Sequence, residues 1–151
     1  MKILQIGKFY PIIGGIEKVM YDLTSGMADH DVECDMLCAN NDTTEKKLII
    51  KELSRKNRII ICPTLKKLFS TMLSPRMISE LKHRCNSYDI IHIHHPDPMA
   101  AVALYFSNYK GKVVLHWHSD IIKQKFFLIL YRPLQNWLIR RAELIIGTTP
   151  V

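Results

Sequence analysis

Residues 1–23, M-K-I-L-Q-I-G-K-F-Y-P-I-I-G-G-I-E-K-V-M-Y-D-L, decide the fold. Ile3 to Ile6 form a short apolar run of the kind that makes a buried parallel strand. A loop punctuated by glycine and proline follows and closes on Gly14 and Gly15. Beyond it Ile16, Val19, Met20, Leu23 and Met27 recur at helical spacing. Strand, glycine loop and helix make the opening unit of a nucleotide-binding α/β fold. Paired glycines let a ligand approach the backbone, and the helix N-terminus behind them offers N–H groups to an anion. The spacing is not G-x-G-x-x-G, because Gly7 and Gly14 lie too far apart, so the loop alone reads equally well as a tight turn.

Working outward, residues 32–39 (V-E-C-D-M-L-C-A) alternate as a second strand should. Residues 58–63, 89–94, 113–117 and 144–148 supply a third, fourth, fifth and sixth strand. Helical patterns fall on 46–54, on 65–84 with a break near Ser74-Pro75, on 99–107, and on 121–142 with Pro133 as a kink. Strict alternation implies right-handed crossovers and an open parallel sheet of order 3-2-1-4-5-6 with helices on both faces. One further strand is expected beside the sixth. Ligands of such sheets bind beyond the carboxyl ends of the strands. Those ends carry residues 7–15, 94–97, 116–120 and 148–150.

The chain of 151 residues suits one domain with a real core, and its 48% apolar content is that of an ordinary globular protein. The formal charge of +7 is less ordinary and points to an anionic partner or surface. Nucleic acid fits poorly, since no DNA- or RNA-binding motif is present. Cys34, Cys38, Cys62 and Cys85 form no C-x-x-C pair and read as reduced core thiols of a cytosolic protein. No signal-peptide core is visible, and the longest apolar run, 126–131, falls far short of the roughly 20 residues that span a bilayer.

Chemistry concentrates in histidine. His92, His94, His95, His116 and His118, five of the seven, fall on two strands. H-x-H places two imidazoles on one face, an arrangement some zinc hydrolases use, and Asp97 and Asp120 are the carboxylates that could complete it. The strand order does not match those hydrolases. His92 and His116 read as buried strand residues, whereas His95 and His118 stand at strand ends facing the cleft. Two basic, apolar segments, one with Lys66, Lys67, Arg76, Lys82 and Arg84 and one with Lys123, Lys125, Arg132, Arg140 and Arg141, suit an anionic membrane surface.

The ordered set G-G-I-E-K-V at 14–19, I-H-I-H-H-P at 91–96 and H-W-H-S-D at 116–120 resembles the N-terminal domain of glycosyltransferase family 4 over essentially the whole chain. The likeness is to bacterial members that build lipopolysaccharide and other surface polysaccharides. It implies a Rossmann-like half of a GT-B fold, retaining transfer from a nucleotide-diphosphate sugar, and no cofactor or metal. Gly14 and Gly15 match the loop near the donor diphosphate, with Glu17 and Lys18 flanking it. His118 matches the strand-end histidine that contacts the transferred sugar or acceptor, so it carries the catalytic expectation. Ser119 and Asp120 follow it in the acceptor-facing loop, and His95, Pro96 and Asp97 line the same cleft. Asp120 or a backbone carbonyl is expected to fix the His118 tautomer.

On this reading residues 1–151 are the acceptor-side domain, incomplete, and the domain that holds the nucleotide sugar lies outside the chain. The chain alone is expected to be inactive, to bind donor weakly and to self-associate through its bare edge. Its acceptor is a glycan or lipid-linked hydroxyl, and its location is the cytoplasm, peripheral on the membrane. The rival reading is a non-catalytic Rossmann-like binding domain that partners a separate donor-binding chain.

Overall fold

The computed structural model describes residues 1–68, 71–119 and 125–147. Strand β1 (Lys2–Tyr10) is followed by helix α1 (Gly15–Gly26), a 3₁₀ turn (Met27–His30) and β2 (Glu33–Asn40). Next come β3 (Ile49–Glu52), β4 (Arg58–Cys62), β5 (Lys66–Leu68), β6 (Thr71–Leu73) and α2 (Pro75–Arg84). A second 3₁₀ turn (Cys85–Ser87), β7 (Ile90–His95), α3 (Pro98–Ser107), β8 (Lys112–Trp117), α4 (Lys125–Arg141) and β9 (Leu144–Gly147) complete the described chain. The main sheet runs β3-β4-β2-β1-β7-β8-β9, which contains the expected 3-2-1-4-5-6 order of parallel strands.

Two segments depart from the sequence reading. The helix expected over 46–54 is instead β3, antiparallel to β4, with Ile49 opposite Ile61 and Ile50 opposite Ile60. Two adjacent β-branched residues favour the pleated surface, and Leu53 and Ser54 donate their N–H groups to Asn57 O to close the turn. Lys51 and Glu52 keep the outer edge charged, which discourages further pairing. The helix expected from Leu65 begins only at Pro75, and β5 and β6 pair antiparallel ahead of it. Pro75 occupies a first-turn position, where its missing N–H costs nothing, and buried Ser74 donates its hydroxyl to Pro63 O at 2.8 Å.

The sheet is covered on both faces. Leu4, Ile6, Leu37, Ile60, Ile91, Ile93 and Leu115 pack against Met77 and Leu81 of α2, Leu104 of α3 and Leu138 of α4. Met36, Cys38, Ile59 and Ile61 pack on the other face against Met20 of α1. The side chains of α1 that are buried are Glu17, Met20 and Thr24, while Val19 and Leu23 stay half-buried. Thr24 meets the cost of burial by donating to Met20 O at 2.7 Å. Cys34, Cys38, Cys62 and Cys85 are buried free thiols, as expected.

Polar groups are buried at both ends of the sheet. At the amino end of β2, Asp35 accepts from the Arg58 backbone and guanidinium and from the Tyr88 hydroxyl. The second buried set lies at the carboxyl ends, where α/β sheets bind their ligands.

Candidate active site at the carboxyl ends of the central strands

The register of β1 against β2 breaks between Ile6 and Phe9. Gly7 and Lys8 take positive φ there, 145° and 53°, and only glycine adopts the first without strain. This bulge turns the Lys8 N–H onto Asp97 Oδ2. Asp97 Oδ1 accepts from Met99 N–H at 2.9 Å and Ala100 N–H at 3.2 Å, capping α3. One buried carboxylate therefore ties the end of β1 to the helix that follows β7. Burial pushes the Asp97 pKa up, opposed by the Lys8 charge and the three N–H donors.

Gln5 pairs with His92, and His94 with His116, so these side chains share one face of the sheet. Gln5 is fully buried and turns its amide nitrogen towards Cys34 Sγ at 3.8 Å and its oxygen towards His94 Nε2. His94 Nδ1 lies 2.8 Å from His118 Nε2. The Gln5 oxygen only accepts, so His94 carries its proton on Nε2 and leaves Nδ1 to receive the His118 Nε2–H. The rings also stack, His116 on His118 at 4.0 Å and His92 on His94 at 4.5 Å between centroids. Burial pushes His92 and His118 down to about 4, with neighbouring imidazoles adding to it. It also lowers His116, and it lowers His94 most of all. All four rings are therefore neutral at pH 7, and each can donate one hydrogen bond and accept another.

The sequence-derived residues divide. His118 stands in this cluster, on the face opposite Trp117. His95 does not share that surface. It is 1% exposed on the other face, stacked on Trp117 at 3.9 Å with Gln135 Nε2 3.3 Å from its own Nε2. Adjacent strand residues face opposite ways, so His94 and His95 could not both enter the cleft. Asp97 is a buried cap that also lines a small pocket with Lys8, Phe9 and Pro96. Gly14 precedes α1, and a Cβ there would collide with the Glu17 carboxylate, which is folded back and buried against the loop. Gly15 faces open space. Lys18 points to solvent and pairs with Asp22. Ser119 is exposed, and Asp120 lies outside the described residues. His94 holds the Nε2 side of His118, and the part expected of Asp120 lies outside the described residues. Gln5 was missed and His94 was read only as part of the H-x-H pair, although a glutamine inside the apolar run I-L-Q-I is itself the mark of a buried polar group needing a partner.

A mostly parallel open sheet with a polar cluster at the carboxyl ends of its strands is the arrangement in which α/β domains bind their ligands. The chain belongs to Glycosyltransferase Family 4, whose family model matches residues 13–151. It is 30% identical to the O-antigen chain mannosyltransferase C of Escherichia coli, across 99% of this chain and 40% of that protein. It is 24% identical to the D-rhamnosyltransferase WbpZ of Pseudomonas aeruginosa, across 99% of this chain and 39% of that one. The chain thus spans about two fifths of the curated relatives it matches. In fold it resembles sucrose-phosphate synthase from Thermosynechococcus elongatus, with a TM-score of 0.67 at 14% identity over 99% of this chain and 42% of that one. The apo structure of OtsA superposes with a TM-score of 0.52 at 12% identity, over 95% of this chain and 39% of that one.

Replacing Asp97 with alanine should strand the Lys8, Met99 and Ala100 N–H groups and lower stability by about 2–4 kcal/mol. Urea unfolding of both proteins measures this. A loss below about 0.5 kcal/mol, the range of an inconsequential surface substitution, would show that the carboxylate is not a clamp.

Proposed function

We propose that this chain is the acceptor-side part of a retaining, metal-independent glycosyltransferase that acts in bacterial surface-polysaccharide assembly. The sugar comes from a nucleotide-diphosphate donor and goes to a hydroxyl of a glycan or lipid-linked acceptor. Family membership and the relatives' O-antigen and rhamnosyl chemistry support this reading. The observation that carries it is His118, a neutral imidazole at the end of β8 held by His94. Such a ring needs no reorganisation when it meets a sugar hydroxyl, and a preorganised polar group is the main source of transition-state stabilisation. His94 holds the ring through Nε2 and so fixes its orientation. Gly14 and Gly15 open the N-terminus of α1 to the donor diphosphate. Glu17 competes there as a carboxylate already at the positive end of the helix, so it moves or is displaced when phosphate arrives. The activity belongs to the full-length enzyme, and the chain alone is inactive in this reading.

The same reading places the protein in the cytoplasm, in contact with the membrane surface. Among the described residues no helix is long and apolar enough to cross a membrane. Tyr105 and Phe106 are exposed at the end of α3, beside Lys110 and the Trp137 and Arg141 of α4. Aromatic rings with basic neighbours suit an anionic headgroup layer. Co-sedimentation of the full-length enzyme with phosphatidylserine vesicles is expected to fall severalfold in a Tyr105→Ser, Phe106→Ser variant. Unchanged sedimentation would remove the membrane contact and leave the transferase reading intact.

The transferase reading is tested on His118. In the full-length enzyme, His118→Ala is expected to cost roughly 10² to 10³ in turnover, as loss of a preorganised hydrogen-bonding group does, with an almost unchanged Tm. His116→Ala is expected to lower Tm and leave most turnover. Near wild-type turnover in His118→Ala would make the imidazole structural.

A further inference from the structure

Three of the imidazoles also stand close together. One nitrogen each of His92, His94 and His116 lies within 4.8 Å of the others. His92 is 7% exposed, and its Nε2 has no hydrogen-bond partner among the described residues. The buried Nδ1 of His116 has none either. Two unpartnered nitrogens on neighbouring rings are costly to bury, and such groups call for an unseen partner. A neutral imidazole can leave either nitrogen unprotonated, so all three rings can turn a lone pair to a cation.

We propose that His92, His94 and His116 bind a borderline transition-metal dication of the Zn²⁺ class. Three imidazoles are a known zinc ligand set, with a fourth position left open. Zinc–nitrogen bonds of about 2.0–2.1 Å put tetrahedral ligands roughly 3.3 Å apart, so the three rings close by up to about 1.5 Å on binding. His94 already has the support that a ligand histidine requires, because Gln5 Oε1 holds Nε2–H and leaves Nδ1 as the donor atom. The ligands among the described residues are all imidazole nitrogens, which suit a borderline dication better than a hard one such as Mg²⁺. The four thiols are buried elsewhere and are not part of it.

Binding has a consequence at His118. Its Nε2–H is donated to the same His94 Nδ1 that the metal would take, so the metal and this hydrogen bond exclude each other. On the transferase reading, which this consequence alone depends on, Zn²⁺ is therefore an inhibitor of the full-length enzyme.

Equilibrium dialysis of the chain against Zn²⁺, and its visible spectrum with Co²⁺, test the site directly. One ion per chain is expected, with the visible bands of tetrahedral cobalt and no thiolate charge-transfer band. His92→Gln, His116→Gln and Gln5→Leu, which removes the oxygen that orients His94, are each expected to weaken binding by about tenfold or more. The exposed His30→Gln, His83→Gln double variant is expected to bind as the wild type does. Circular dichroism first establishes that each variant folds, and the wild-type cobalt spectrum stands without them. A thiolate band, loss of binding in the His30, His83 variant, or no bound ion would each overturn the proposal. None of these outcomes bears on turnover in His118→Ala, so the two readings fail separately.

Discussion

The site depends on one buried hydrogen-bonded chain, from the Gln5 amide through His94 to His118. A glutamine in the middle of the central strand has to place its oxygen and nitrogen, and it does so between His94 and Cys34. That choice sets which nitrogen of His94 carries the proton, and His94 sets it for His118. An amide buried in the core thus determines the protonation pattern of a ring at the edge of the sheet. Burial keeps the rings neutral, because a charged imidazole would forfeit solvation that its neighbours cannot replace. Asp97 acts in parallel on the backbone, fixing the bulge of β1 against α3 so that Gly7, Lys8 and the end of β7 keep one geometry.

Much of the fold was legible because the parallel strands carry the long-range signal. Runs such as I-I-H-I-H-H and K-V-V-L-H-W are bounded by turns and separated by helix-length segments, which leaves few topologies. The short antiparallel pieces were not legible. β3 and the β5–β6 pair span three or four residues each, too few to show a period, and their lysines resemble the polar face of a helix. Only the partner strand shows that Ile49 and Ile50 belong to a sheet.

The site was legible in position but not in detail. Alternation along β8 placed His118 opposite Trp117, and the structure has it so. The same rule applied to His94-His95 would have sent His95 away from the cleft, beneath α4. Asp97 followed by Pro98 carries the signature of a helix cap, which accounts for its carboxylate without any ligand. What no local pattern reveals is that Gln5 meets His94, 89 positions later in the chain. That contact exists only because β1 and β7 are neighbours in the sheet.

The central claim is that Gln5 fixes His94 and His118 as neutral Nε2–H tautomers. Long-range ¹H–¹⁵N correlation spectra of the histidine side chains at pH 7 read this directly. The account expects both rings neutral, each protonated at Nε2, with the His118 Nε2–H lost as a hydrogen-bonded signal in Gln5→Leu. An imidazolium at either position, or protons on Nδ1 of both rings, would contradict it.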